Sequence, residues 1–319
     1  MLHQNRLSEE FIVHELAADD DGEPLSEEQL WEALTRTFQS PRYRPPMLPV
    51  VATELMQISS RADADVTQIV HLLEKDTLLA GRVLKLCNSP LYGAAEPIRS
   101  LKTAVVRLGL AELRDVVMEA AFGSRVFKTT GYSEAVDRVR VHSTAVAHLS
   151  RVIARYTSFE SEYAFLCGLL HDVGLSAALV ALGDVPKGEQ LRPVADLWPA
   201  LVALHETVGG SVATVWKLPA EVAMVLRLHH SLKVGPVVHP MAAIVTLAES
   251  IACDNGWGLV PRALKVGGAT QPSLLFGGHR VDEPSDQQVM VAKAALGFEG
   301  RKVETIQAEC KKVLAALGD

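Results

Sequence analysis

The stretch Phe165-Leu166-Cys167-Gly168-Leu169-Leu170-His171-Asp172-Val173-Gly174-Leu175 places an adjacent histidine and aspartate inside an apolar run. Its hydrophobicity sends it to the middle of a core, where a carboxylate or a half-charged imidazole is costly unless it is paired or binds a metal. A fold for this chain must therefore bring partners to His171 and Asp172. The candidates are His142, His205 and the pair His229-His230, all on apolar helical faces. On a helix from about Glu134 to Tyr156, Val139, His142, Val146, Leu149 and Ile153 share one side, so His142 points inward. Leu201, His205, Val208, Val212 and Trp216 line a second face. Pro219 opens a further helix on which Val222, Val225, Leu226 and His229 fall together. Glu249, on a helix after Pro240, is the last candidate. Adjacent helical residues point about 100° apart. His171 and Asp172 can therefore share one ion only near a helix end or distortion, which Gly174 makes available.

The rest of the chain reads as helices. At 319 residues and 48% hydrophobic content it can bury a large core, and with aromatics at only 5% the balance of Ala, Val and Leu favours helix packing. Residues 1–44 form a polar, acidic arm and a first helix, whose capping box Ser26-Glu27-Glu28-Gln29 leads into Leu30, Leu34 and Phe38. From 45 to 130, helical spacing runs through Val51, Leu55, Ile69, Leu73, Leu79 and Val83, breaks at Asn88-Ser89-Pro90-Leu91-Tyr92-Gly93, and resumes through Val105, Leu113 and Val117. This describes a bundle of about five helices. A second bundle occupies 131–255 and carries the histidines. Residues 256–288 are glycine- and proline-rich, with a short helix expected near Leu264, and two C-terminal helices complete a 256–319 unit that packs on the core. The fold class is all-α, two packed bundles.

The formal net charge of −7 and the acidic isoelectric point give no electrostatic drive toward nucleic acid or an anionic membrane. Cys87, Cys167, Cys253 and Cys310 are far apart and never form a C-x-x-C pair, as expected of reduced thiols in a cytoplasmic protein. No signal-peptide core opens the sequence, and no stretch is read as apolar for the ~18 residues of a membrane span.

Met47-Leu48-Pro49, Ile69 to Leu79 with Asp76, the segment Val83 to Gly93, and Ile98 to Gly109 together resemble the N-terminal half of an HDOD domain. The resemblance covers about residues 45–255 and makes the second bundle similar to an HD domain. HDOD proteins are relatives of the HD and HD-GYP phosphohydrolases, described as signalling output modules without established catalysis. Thr77 stands where the family usually has proline, which should alter only a helix start. In HD and HD-GYP proteins the metal ligands run His, His-Asp, His, His-His, Asp. The matching positions here are His142, His171, Asp172, His205, His229 and His230, with Glu249 in the place of the final Asp. The resemblance implies one or two divalent transition metals, iron, manganese or zinc, with Asp172 bridging.

The same comparison removes parts of the catalytic pattern. Leu175 stands where active HD-GYP proteins carry lysine, His229-His230-Ser231 lacks the following glutamate, and the Gly-Tyr-Pro motif is missing, which counts against cyclic di-GMP. Arg138 precedes His142 by one turn, where some binuclear members have an acidic ligand. One inward histidine is more often a hydrogen-bonded core residue than a ligand, whereas six positions in a known order are harder to ascribe to packing. The expected function is a signalling module acting through an unidentified protein partner, with a degenerate metal pocket. The alternatives are a metal-dependent phosphohydrolase or phosphodiesterase acting on a nucleotide or cyclic dinucleotide, and a nucleotide sensor without turnover. His71, His148 and His239 are expected to be solvated or capping, His3, His14 and His279 to lie in arm or loop, and Asn88, Tyr92 and Gly93 to form a packed turn.

Overall fold

Ser26 starts the first helix, α1 (Glu27–Gln39), by the expected capping box: its hydroxyl accepts from Gln29 N at 3.3 Å and the Gln29 side chain accepts from Ser26 N at 2.8 Å. In this computed structural model the residues described are 26–59, 65–92, 96–123, 127, 129, 131–159, 162–183, 191–259 and 283–318. The acidic arm, Gly93, His3, His14, His279, the middle of the loop after Gly183 and the helix expected near Leu264 lie outside them.

Four helices form the first bundle: α2 (Val50–Ser59), α3 (Val66–Glu74), α4 (Thr77–Cys87) and α5 (Leu101–Phe122). Asp76 caps α4 by accepting from Leu79 N at 3.0 Å, so Thr77 alters only the helix start. After α4, Asn88 accepts from Ile98 N at 2.7 Å and donates to the Ile98 and Leu84 carbonyls at 2.9 and 2.7 Å. One carboxamide thereby closes the loop around the short 3-10 turn Pro90–Tyr92, which agrees with the packed-turn reading. The expected fifth helix is half of α5, which kinks at Gly109 with φ 72. A side chain there would be strained.

The second bundle comprises α6 (Ser133–Ala154), α7 (Ala164–Leu170), α8 (Val173–Gly183), α9 (Val194–Trp216), α10 (Ala220–Leu228) and α11 (Pro240–Asp254), followed by α12 (Asp286–Leu296) and α13 (Arg301–Gly318). Helix α6 is the hub, packed on α7, α8, α11 and α13. His239 accepts from Ala242 N at 3.4 Å at the start of α11, the capping role expected of it. Between α10 and α11 lies a small antiparallel hairpin, β1 (Lys233–Val234) with β2 (Val237–Val238). The two bundles share one buried hydrophobic core. They also meet where α5 packs on α7 and where Trp216 Nε1 donates to the Pro46 carbonyl at 2.7 Å, and α1 packs on α9 of the second bundle. All four cysteines are free and buried.

Ala164–Gly183 corrects one expectation. The mean hydropathy of its most apolar 18-residue window, 1.9, would suit a membrane span, and 94% of that window is buried within the fold. It is the pair of consecutive buried helices α7 and α8, separated by the turn at His171-Asp172.

Candidate metal centre

The chain turns at His171-Asp172 because α7 ends at Leu170 and α8 begins at Val173. That break turns two neighbouring side chains toward one point, as the spacing required. Gly174 permits it: a Cβ there would stand 2.0 Å from the His205 carbonyl oxygen, so only glycine lets α8 lie directly on α9.

Around Asp172 the imidazoles converge. His171 Nε2 lies 3.1 Å and His142 Nε2 3.8 Å from Asp172 Oδ2, while His229 Nε2 lies 3.5 Å and His205 Nε2 3.6 Å from Oδ1. His205 Nε2 in turn sits 3.2 Å from His229 Nε2 and 3.1 Å from His230 Nε2. Two sets of ligand atoms result, His142-His171-Asp172 and Asp172-His205-His229-His230, with the atoms of each set within 4.8 Å of one another. Asp172 belongs to both. Glu249 is buried on α11 but joins neither set.

The orientation of the rings is more informative than their proximity. His142 Nδ1 lies 2.7 Å from the Trp257 carbonyl, His171 Nδ1 2.8 Å from the Gly168 carbonyl, and His229 Nδ1 3.3 Å from the Val225 carbonyl; His205 Nδ1 meets the Val202 carbonyl. A carbonyl can only accept, so each of these rings carries a proton on Nδ1 and leaves Nε2 as the nitrogen that faces the centre. This is the arrangement of histidine ligands whose outer nitrogen is anchored to the backbone. His142 Nε2, His171 Nε2 and both Asp172 oxygens are buried without a hydrogen-bond partner. Orphaned acceptors packed together are costly, and a cation between them satisfies all of them at once.

Electrostatics point the same way. Burial, reinforced by His171, pushes His142 down to about 4, and burial with His229 pushes His205 down to about 4. His230 is pushed down to about 2 by burial and then by His229 and His205. These rings are therefore neutral at neutral pH, the form that binds metal. Burial alone would raise the Asp172 carboxyl; positive charge on the rings beside it, that of His171 first, is what would hold it well below the usual carboxylate range, and with the rings neutral a bound cation takes that part. Neutral imidazoles with one shared carboxylate can hold a first-row metal ion.

The groups behind the ligands were not legible in the sequence. Glu206, next to His205, accepts from His230 N at 3.2 Å and lies 3.6 Å from His229 Nδ1. The Trp257 carbonyl and Gln288, whose Nε2 donates to the His230 carbonyl at 2.6 Å, come from after the bundle. Adjacency to a candidate ligand was the one available signal for Glu206.

His148 corrects the solvated reading. It is buried at the seam between α5 and α6, its Nε2 3.3 Å from Glu119 Oε2, and Tyr92 donates to the same carboxylate oxygen at 3.2 Å. Beside it, Arg151 pairs with Glu112 at 2.8 Å and Asp115 at 3.2 Å, and fully buried Arg114 pairs with Asp115 at 3.2 Å and Glu162 at 2.9 Å. Burial pushes the Asp115 carboxyl up to about 6, against the pull of Arg114 and Arg151. Because that is above the ordinary carboxyl value of about 3.9, the folded state keeps a proton that the unfolded chain releases. The contribution of Asp115 to stability is thus present at low pH and falls by up to about 1.4 kcal/mol per unit between about pH 4 and 6. Asp115→Asn is expected to remove that slope. Denaturant titrations of both proteins across this range would show it, and parallel profiles would refute it.

Three comparisons bear on this geometry. The HDOD domain model matches residues 46–232. An uncharacterized protein of Treponema pallidum (strain Nichols) is 27% identical over 234 residues, which cover 69% of this chain and 45% of that protein. This chain therefore spans less than half the length of that relative. Among solved structures, an HDOD domain protein with unknown function from Geobacter sulfurreducens superposes with a TM-score of 0.63 at 26% identity, over 92% of this chain and 97% of the other. A protein from Shewanella amazonensis SB2B, described as a candidate metal-dependent phosphohydrolase, gives 0.63 at 19% identity over 91% and 99%. The latter shares the fold. The match over 46–232, more than half of the chain, takes in the first bundle, the second as far as α10, and every histidine of the centre, from His142 on α6 to His230 after α10, and on that ground the chain belongs to the HDOD family.

Proposed function

We propose that this protein is a signalling module that holds one or two divalent transition metals, iron, manganese or zinc, in the His-Asp pocket and acts through a protein partner without turnover. One observation carries the reading: His142, His171, Asp172, His205 and His229 are only 0–2% exposed. Structural metal sites are closed, whereas catalytic ones keep a position open to substrate. Buried Leu175 presents no cation to a phosphate near Asp172. A bound ion supplies the positive charge that this set of neutral rings and one carboxylate lacks. The chain's own part is to anchor the Nδ1 side of the rings on backbone carbonyls and to exclude water. Helices α6, α8, α9 and α10 all converge on the pocket, so its filling bears on the packing of the whole second bundle and on whatever face meets the partner.

A second reading, a metal-dependent phosphohydrolase acting on a nucleotide or cyclic dinucleotide, is favoured by the sharing of Asp172 between two ligand sets, the arrangement expected of a two-metal site. Metal analysis of tag-free protein beside a His171→Ala/Asp172→Ala double variant, followed by a screen for release of hydrolysis products, inorganic phosphate from nucleotides and linear dinucleotide from cyclic ones, separates the two. Near-stoichiometric metal, lost in the double variant, with no metal-dependent release, is the expected result. Metal-dependent release that disappears in the variant would establish the hydrolase instead. Calorimetry with cyclic dinucleotides tests the sensor alternative, which absence of heat at high micromolar ligand would remove.

A further inference from the structure

The HDOD match ends at residue 232, yet two groups beyond it touch the histidines of the pocket. The first is the Trp257 carbonyl, which accepts a hydrogen bond from His142 Nδ1 at 2.7 Å. The second is Gln288, whose orientation is determined by its own helix. As the third residue of the capping box of α12, its Oε1 accepts from Ser285 N at 2.8 Å. An amide N–H needs an acceptor, so the oxygen end of the carboxamide must face Ser285 and the Nε2 end must face the His230 carbonyl, 2.6 Å away. Start of α12 and turn at His229-His230 are thus tied by one side chain with no freedom to rotate. Helix α12 packs on α11, which packs on α6, the helix that carries His142.

We propose that the C-terminal unit is coupled to the metal pocket through these two contacts, Gln288 being a positioning residue for His230 and the Trp257 carbonyl one for His142. The proposal rests on the metal-holding reading and names how that site is regulated. Coupling of this kind is reciprocal: loading the pocket tightens the seating of α12, and lifting α12 loosens the metal. A partner that grips α12 would therefore sense or set the metal state.

Gln288→Glu is the discriminating variant. Glutamate serves as well as glutamine in a capping box, so α12 keeps its cap while a carboxylate oxygen replaces the donor facing the His230 carbonyl. Release of zinc or manganese to a chelator is expected to quicken about tenfold, the scale of an outer-shell contact, in a protein that keeps its helix content without metal. Hydrogen exchange in the parent is expected to slow across Asp286–Leu296 when metal is added. A parent that takes up no metal overturns the metal reading and this coupling with it. A parent that takes up metal, but whose Gln288→Glu variant releases it at the same rate and whose α12 exchange ignores loading, overturns the coupling alone.

Discussion

Replacing Asp172 by alanine is expected to empty both halves of the pocket together. Asp172 is the one residue common to the two ligand sets, with Oδ2 directed at His142 and His171 and Oδ1 at His205 and His229. It is also the only one of the gathered ligands that brings negative charge. Without it an ion would enter a ring of neutral imidazoles with no counter-charge and would lose its hydration for too little. The loss should exceed the roughly 10–100-fold that follows removal of an outer-shell partner. It is read most simply as stabilisation by metal. A site filled at a hundred times its dissociation constant stabilises by about 2.7 kcal/mol, so the parent should gain about that much in a denaturant titration and Asp172→Ala essentially nothing. Glu249→Ala is the contrasting variant: its carboxylate is in neither set, and the gain from metal should survive. Equal gains in the parent and in Asp172→Ala would refute the centre as drawn, whatever the histidines look like.

The helices were legible because burial on one side imposes a period. His142, His205 and His229 each fell on an apolar stripe, and each is buried where the stripe pointed. The turn at His171-Asp172 was legible from Gly174 and from the geometry of adjacent residues. What failed to show was anything set by a second neighbour. Helix α6 is buried against α7, α8, α11 and α13 and also faces α5 through His148 and Arg151; a single stripe cannot describe a helix covered on several sides. His148 was misread for that reason. The hairpin strands are two residues each and too short to carry a period. The family's ligand order points to Glu249, and order along a chain does not say which oxygen reaches a common point. The tautomers depend on carbonyls of residues 168, 202, 225 and 257. Backbone acceptors leave no mark in residue identity.

Gly174→Ala is expected to be the most damaging glycine-to-alanine change among the described residues, and the reason joins fold to site. The added Cβ would stand 2.0 Å from the His205 carbonyl oxygen and 2.8 Å from both His205 C and Gly209 N. These are backbone atoms of α9, which no rotamer change can clear, so α8 must lift from α9. Overpacking typically costs about 1–3 kcal/mol where side chains can adjust; here they cannot, and a loss of about 3 kcal/mol or more is expected. The same displacement opens the 3.6 Å gap between Asp172 and His205, so whatever folds should bind metal poorly as well. Gly81→Ala supplies the control. It lies in α4 with nothing within 4 Å of its added Cβ, and alanine there should stabilise by about 0.5–1 kcal/mol. A Gly174→Ala protein as stable as the parent would mean that α8 and α9 are not in contact at this point. Asp172 and His205 would then lack the support that brings them together, and the centre would have to be drawn without α9.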